Sequence, residues 1–151
     1  MQAALEQARQ AAALGEVPVG AVVVKNGQIL AAAHNLVETN SDPTAHAEVL
    51  AIRAAAKKLS SFRLEQCSLY VTLEPCPMCA GAAANARMAE IVFGAGDPVK
   101  GAAGGALNLF YYNLPNKPQV YGGVMEQECK ALLQQFFKTV RKHKSNLNET
   151  N

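Results

Sequence analysis

Apolar positions along the chain change period several times, and each change marks an element. Over residues 2 to 14, Ala4, Ala8 and Ala11 share one stripe of an alanine-rich helix, and Gly15 is placed to end it. Val17-Pro18-Val19-Gly20-Ala21-Val22-Val23-Val24 then forms an unbroken apolar strand. Lys25-Asn26-Gly27 supplies a hairpin turn, and Gln28 to Asn35 returns antiparallel. A second helix is expected over 44–59 with Val49, Ile52, Ala56 and Leu59 facing the core. Cys67 to Leu73 reads as a third strand that runs straight into a helix over about 77–87. Ile91-Val92-Phe93-Gly94 is a fourth strand and Val120 to Gly122 a short fifth. The last helix, about 125–142, carries Cys129, Leu132, Leu133, Phe136 and Phe137 as its buried stripe. Helices that alternate with buried strands predict an α/β fold: a three-layer α/β/α sandwich with a mixed sheet of about five strands.

Composition narrows the class. The 151 residues show no internal repeat, low-complexity tract or linker, so one domain is expected over 1–151. Half of the residues are hydrophobic, yet no apolar run approaches the length of a membrane span. No charged-then-apolar leader follows Met1, and four cysteines, two of them in a metal-type motif, do not suggest a disulfide framework. A reducing cytoplasm fits both observations. The net charge of +2 is too small to argue for nucleic acid by itself. Its distribution says more, because Lys138, Arg141, Lys142 and Lys144 cluster with no acid until Glu149. Cations at a helix C-terminus are also favoured by the helix dipole alone, and many are simply solvated.

Two short stretches carry the candidate chemistry: His46-Ala47-Glu48 and Pro75-Cys76-Pro77-Met78-Cys79. They offer one imidazole, two sulfurs and one carboxylate. Structural zinc is almost always closed by four protein ligands, whereas catalytic zinc keeps three and leaves a position for water. His46, Cys76 and Cys79 are three, and one Zn2+ per chain is expected. Cys76 and Cys79 lie three apart, so a first helical turn starting at the prolines puts both sulfurs on one face. His46 opens a helix announced by Asp42-Pro43-Thr44. Residues two apart on a regular helix point about 200° away from each other, so His46 and Glu48 can share a site only at an irregular first turn. Two thiolates cancel the charge of the ion, so water activation needs help from a neighbouring carboxylate, and Glu48 is that group. The other candidate ligands, His34, His143, Cys67 and Cys129, sit at no spacing typical of a closed site. Cys67 and Cys129 fit core positions.

The order H-x-E followed by P-C-x-x-C is the signature of zinc nucleobase deaminases. With Glu16-Val17-Pro18-Val19-Gly20-Ala21-Val22, Asp42-Pro43-Thr44-Ala45-His46-Ala47-Glu48, Tyr70-Val71-Thr72-Leu73-Glu74-Pro75-Cys76, Met78-Cys79-Ala80-Gly81-Ala82, Val92-Phe93-Gly94-Ala95 and the Gly101-Ala102-Ala103-Gly104 loop, the chain resembles the bacterial tRNA-specific adenosine deaminases of the TadA type, within the cytidine-deaminase-like superfamily. That resemblance implies a cytoplasmic homodimer that converts adenosine to inosine at the first anticodon position of tRNA by hydrolysis. Zinc would activate the water and Glu48 would shuttle its protons. It also implies that Asn35 hydrogen-bonds the flipped nucleoside, that Ala47 belongs to the substrate site, and that Asp97 lies near the sugar of the neighbouring nucleotide. Lys100, Lys138, Arg141 and Lys142 are the possible contacts to the RNA backbone. The stretch Ala83-Ala84-Asn85-Ala86 departs from the larger apolar residue and polar pair usual in the family before the arginine matching Arg87. Tyr111-Tyr112 could stack on bases, although such a pair more often belongs partly to the core.

Two rival readings share these residues. A deaminase of a free base or nucleoside such as guanine, cytosine or cytidine would have the same metal ligands. A zinc-stabilised RNA-binding subunit without catalysis would have had no use for Glu48.

Overall fold

A computed structural model describes residues 1–148; Glu149 lies outside them. The chain forms α1 (Gln2–Ala13), β1 (Gly20–Lys25), β2 (Gln28–His34), α2 (Val37–Asn40), α3 (Ala47–Leu59), β3 (Cys67–Leu73), α4 (Pro77–Asn85), β4 (Glu90–Ala95), a 3-10 turn (Leu109–Tyr111), β5 (Gln119–Tyr121) and α5 (Glu126–Asn148). The strands make one mixed sheet in the order β2-β1-β3-β4-β5. β1 is antiparallel to both β2 and β3, whereas β3, β4 and β5 run parallel. Among the described residues, no helix is long and apolar enough to cross a membrane.

Helices cover both faces. Ala21 and Val23 of β1, Leu69 and Val71 of β3 and Ile91 of β4 pack with Ala47, Ala51, Ile52 and Ala55 of α3 and with Ala83 of α4. On the opposite face Gly20 of β1 lies against Ala4 and Ala8 of α1, and Gly94 of β4 lies against Cys129 of α5. This alternation is the period-2 geometry of a strand buried on both sides. Leu69, at 0% exposure on the central strand, is a sensitive probe of the larger core. Leu69→Ala should lower unfolding free energy by about 2–5 kcal/mol in urea titrations.

Several boundaries differ from the expectation, each for a local reason. The first strand starts at Gly20 rather than Val17, because Pro18 has no N–H and the Val17 carbonyl already accepts from the Val19 N–H (2.8 Å). α3 starts at Ala47 rather than at 44, because the Asp42 carboxylate accepts from the Thr44 N–H and hydroxyl, making a turn before the helix instead of its cap. The buried stripe of α3 is Ala47, Glu48, Ala51, Ile52 and Ala55; Ala56 and Leu59 lie beside it, and Val49 is off it. α4 ends at Asn85, and Arg87 then turns with φ 56°. α5 runs on to Asn148, and of its expected apolar stripe only Cys129 is buried, with Phe137 44% exposed. Tyr111 and Tyr112 do not join the core, being 87% and 65% exposed.

Topology gathers the interesting segments at one edge of the sheet. Gly20 at the start of β1 pairs with His34 at the end of β2, and Ala21 pairs with Val71 near the end of β3. Leu73 and Ala95, the last residues of parallel β3 and β4, are register partners. The segments 17–19, 35–46, 74–79 and 96–107 therefore all leave from this edge, where α/β sheets bind ligands.

Candidate active site

Both metal-type motifs sit at helix N-termini, and the first ligand of each is the cap rather than a helical residue. His46 is the N-cap of α3 with extended backbone (φ −71°, ψ 147°), and Cys76 is the N-cap of α4 (φ −71°, ψ 171°). An extended N-cap is off the helical screw, so His46 and Glu48 escape the 200° divergence of a regular helix. Cys79 is the N3 residue of α4, so the two sulfurs meet as an N-cap and N3 pair rather than as two residues of one turn.

His46 Nδ1 lies 3.6 Å from Cys76 Sγ and 3.4 Å from Cys79 Sγ. A tetrahedral ion with Zn–N of about 2.0–2.1 Å and Zn–S of about 2.3 Å separates N and S by about 3.6 Å. The donor set and its spacing thus fit zinc. Among the described residues, the group that could hold a metal comprises these three side chains, with no fourth acid, His or Cys. The Cys79 thiol hydrogen-bonds the Cys76 sulfur, which holds Cys76 down to about 4. The same bond, with burial and the nearby Glu48 carboxylate, pushes Cys79 up.

Glu48 follows at the N2 position, only 4% exposed, yet it lines the cleft beside these ligands. Burial pushes its carboxyl up to about 7, working against the lowering effects of its own backbone N–H and of His46. A carboxyl poised near neutrality can both take and give a proton.

The cleft encloses about 440 Å³ and is bounded by Val19, Asn35, Leu73, Asp97, Lys100, Leu133 and Phe137 as well as by His46, Glu48 and Cys76. Asn35 is 8% exposed, and no hydrogen bond among the described residues engages its side chain. Its backbone N–H is anchored to the Val19 carbonyl (3.1 Å). Asp97 turns the chain, its Oδ1 accepting from the Val99 and Lys100 N–H groups at 3.0 Å each. Ala47 does not reach the cleft: it is 0% exposed, on the inward side of α3. Lys138, Arg141 and Lys142 are exposed on α5 past Phe137 and stand outside the cleft. His34 stands outside the three-donor group, and its Nδ1 pairs with Gln7 Oε1 (2.8 Å).

Two buried acids escaped the sequence reading. Glu16, 1% exposed, accepts from the Thr39 N–H (2.6 Å) and so braces the segment after Asn35. Glu74, 4% exposed, accepts from the N–H groups of Asp97, Ala103 and Gly105. An acid at the end of a buried strand with a glycine-rich loop downstream was the available signal for the second. A shallower groove adjoins the cleft across His46, Cys76, Val99 and Lys100, and is walled by Pro43, Met78 and Leu107.

Comparison with known proteins agrees with this geometry. Residues 1–141 match the family model of the MafB19-like deaminases. The tRNA-specific adenosine deaminase of Bacillus subtilis is 50% identical over 145 residues, covering 95% of this chain and 90% of that protein. A structure from studies of A-to-I editing by tRNA:A34 deaminases at the wobble position superposes with a TM-score of 0.86 at 42% identity, covering 88% of this chain and 97% of that one. A guanine deaminase structure from Bacillus subtilis is 45% identical but covers only 63% of this chain and 61% of its own, with a TM-score of 0.60. A match along nearly its whole length, on a fold that brings H-x-E and P-C-x-x-C to one edge, makes this chain a member of the bacterial tRNA-specific adenosine deaminase family.

Proposed function

We propose that the chain is a single zinc-dependent deaminase domain that converts adenosine to inosine at the first anticodon position of tRNA, working as a homodimer in the cytoplasm. The observation that carries the chemistry is the three-donor cluster of His46, Cys76 and Cys79 with buried Glu48 beside it in a cleft, and the likeness along 88% of this chain to a tRNA:A34 deaminase structure supports the substrate. Zinc held there by His46, Cys76 and Cys79 would supply an activated water and leave the protein to manage protons and position. Glu48 would accept a proton from the water that attacks C6 of adenine and pass it to N1, then take the remaining proton from the new C6 hydroxyl and deliver it to the departing amino group, which leaves as ammonia. Asn35 offers an uncommitted amide to the nucleoside, and Asp97 lies at the mouth near the next sugar. The target base must leave its stack, which an anticodon loop permits for a few kcal/mol or less. Four free cysteines agree with a reducing compartment.

Purified protein should form inosine in an anticodon stem-loop RNA and release little ammonia from guanine or cytidine. Guanine turnover matching that of the stem-loop would reverse the assignment in favour of the free-base reading. The basic end of α5 gives a second check. Affinity for the stem-loop should fall with salt, and replacing Lys138, Arg141 and Lys142 by Ala should reduce the log–log slope by about 2, at about 0.7 per phosphate of a single strand. A slope unchanged by the triple substitution would remove α5 from the RNA contact.

A further inference from the structure

We propose that Glu74 is a positioning residue for substrate: its buried carboxylate holds the 97–107 loop in the shape that receives the nucleotides flanking the target base. This rests on the reading of the chain as a wobble adenosine deaminase. Glu74 Oε2 accepts from the Asp97 N–H (2.8 Å), and Oε1 accepts from Ala103 (2.9 Å) and Gly105 (2.8 Å). Three backbone donors converging on one buried carboxylate replace the water it gave up, and each such charge-assisted bond is stronger than a neutral one. The loop is shaped around this group. A methyl group at Gly101 or Gly105 would overlap the Glu74 carboxylate and the Asp97 carbonyl, so only glycine lets the backbone approach so closely. Next to it, the Ala102 N–H donates to the Pro75 carbonyl (2.8 Å), tying the loop to the residue before Cys76.

The clamp faces inward, and what it presents outward borders the substrate. Asp97, Val99 and Lys100 line the catalytic cleft, and Val99 and Lys100 also line the adjoining groove with Leu107. A nucleotide whose base enters the cleft beside Glu48 leaves its 3′ and 5′ neighbours on this lip, since they are one phosphodiester away. Val99 at 78% and Leu107 at 43% exposure offer them apolar surface, and Lys100 offers charge. Glu74 is outside the metal-binding group, so its effect is on the lip rather than on the chemistry.

The test compares Glu74→Gln and Gly105→Ala with the parent protein by zinc content, amide hydrogen exchange and steady-state kinetics on an anticodon stem-loop. Glu74→Gln keeps the side-chain shape but turns an NH2 toward at least one backbone N–H. KM should rise about tenfold or more, the size of a lost bond to a charged group, with kcat within about twofold and zinc content equal to the parent. The amides of Asp97, Ala103 and Gly105 should exchange at least about tenfold faster. Gly105→Ala, which crowds the same contact from the exposed side of the loop, should give the same KM shift and decides the matter if the Gln protein does not fold. Unchanged KM in either folded variant, or a loss of kcat or zinc with KM unchanged, overturns the proposal. Failure of the underlying reading looks different: the parent protein itself makes no inosine in the stem-loop although its loop amides are protected, and the substrate role falls with it.

Discussion

Glu48→Ala protein is expected to deaminate an anticodon stem-loop about 10²–10⁴-fold more slowly in kcat than the parent while binding the same amount of zinc. The two halves of this result come from separate features. Zinc is retained because the donors are His46, Cys76 and Cys79, and Glu48 is not among them. Turnover falls because, among the described residues, the other two carboxylates lining the cleft already hold the loop: Glu74 accepts from three backbone N–H groups and Asp97 Oδ1 from two. Stability should change little, since removing a buried acid also removes its desolvation cost. Glu48→Gln, with the shape preserved, should lose as much activity as Glu48→Ala. Near-normal kcat in both would take Glu48 out of the reaction.

Cys79→Ala is expected to abolish zinc binding and bring activity below detection. Cys79 is fully buried, its sulfur sits 3.4 Å from His46 Nδ1, and only two donors remain after its loss. Cys67→Ala is the matched control. Cys67 is equally buried but lies in β3 away from the group, so that variant should keep full zinc content and lose only packing stability. Removing zinc from the parent with a chelator should lower its thermal midpoint, because a ligand at 100-fold over its Kd stabilises the native state by about 2.7 kcal/mol. Adding zinc back should restore both midpoint and activity. Atomic absorption and thermal melts report these changes independently of any RNA. A Cys79→Ala protein that still held stoichiometric zinc would move the metal site elsewhere.

Much of this architecture could be read from residue patterns alone. Cys67 to Leu73 is bounded as its apolar run indicates, and the Asn26-Gly27 turn adopts the positive φ values (50° and 73°) that its hairpin demands. Two local signals were overridden, the first by a still shorter-range hydrogen bond and the second by the cleft. Asp42-Pro43-Thr44 has the composition of a helix cap, but its hydrogen bonds close on themselves and leave His46 as the cap. α5 has an apolar stripe suited to full burial, yet part of it borders the cleft, so Leu133 is shared between core and wall and Phe137 serves as wall. The metal donors were legible because side-chain type announces them. Glu74 was not, because its partners are backbone N–H groups some 23 to 31 residues away, and a sequence writes no symbol for a main-chain donor.

The parallel pairing of β3 with β4, in register at Leu73 and Ala95, sets which length changes the protein can survive. One residue added inside β3 would send Leu69 and Val71 to the opposite face and swing the P-C-x-x-C segment out of line with His46. Extra residues at the tip of the 97–107 loop would disturb no strand pairing. Changes of length are therefore tolerated at that tip, while the spacing that assembles the reaction centre is held by the ladder beneath it.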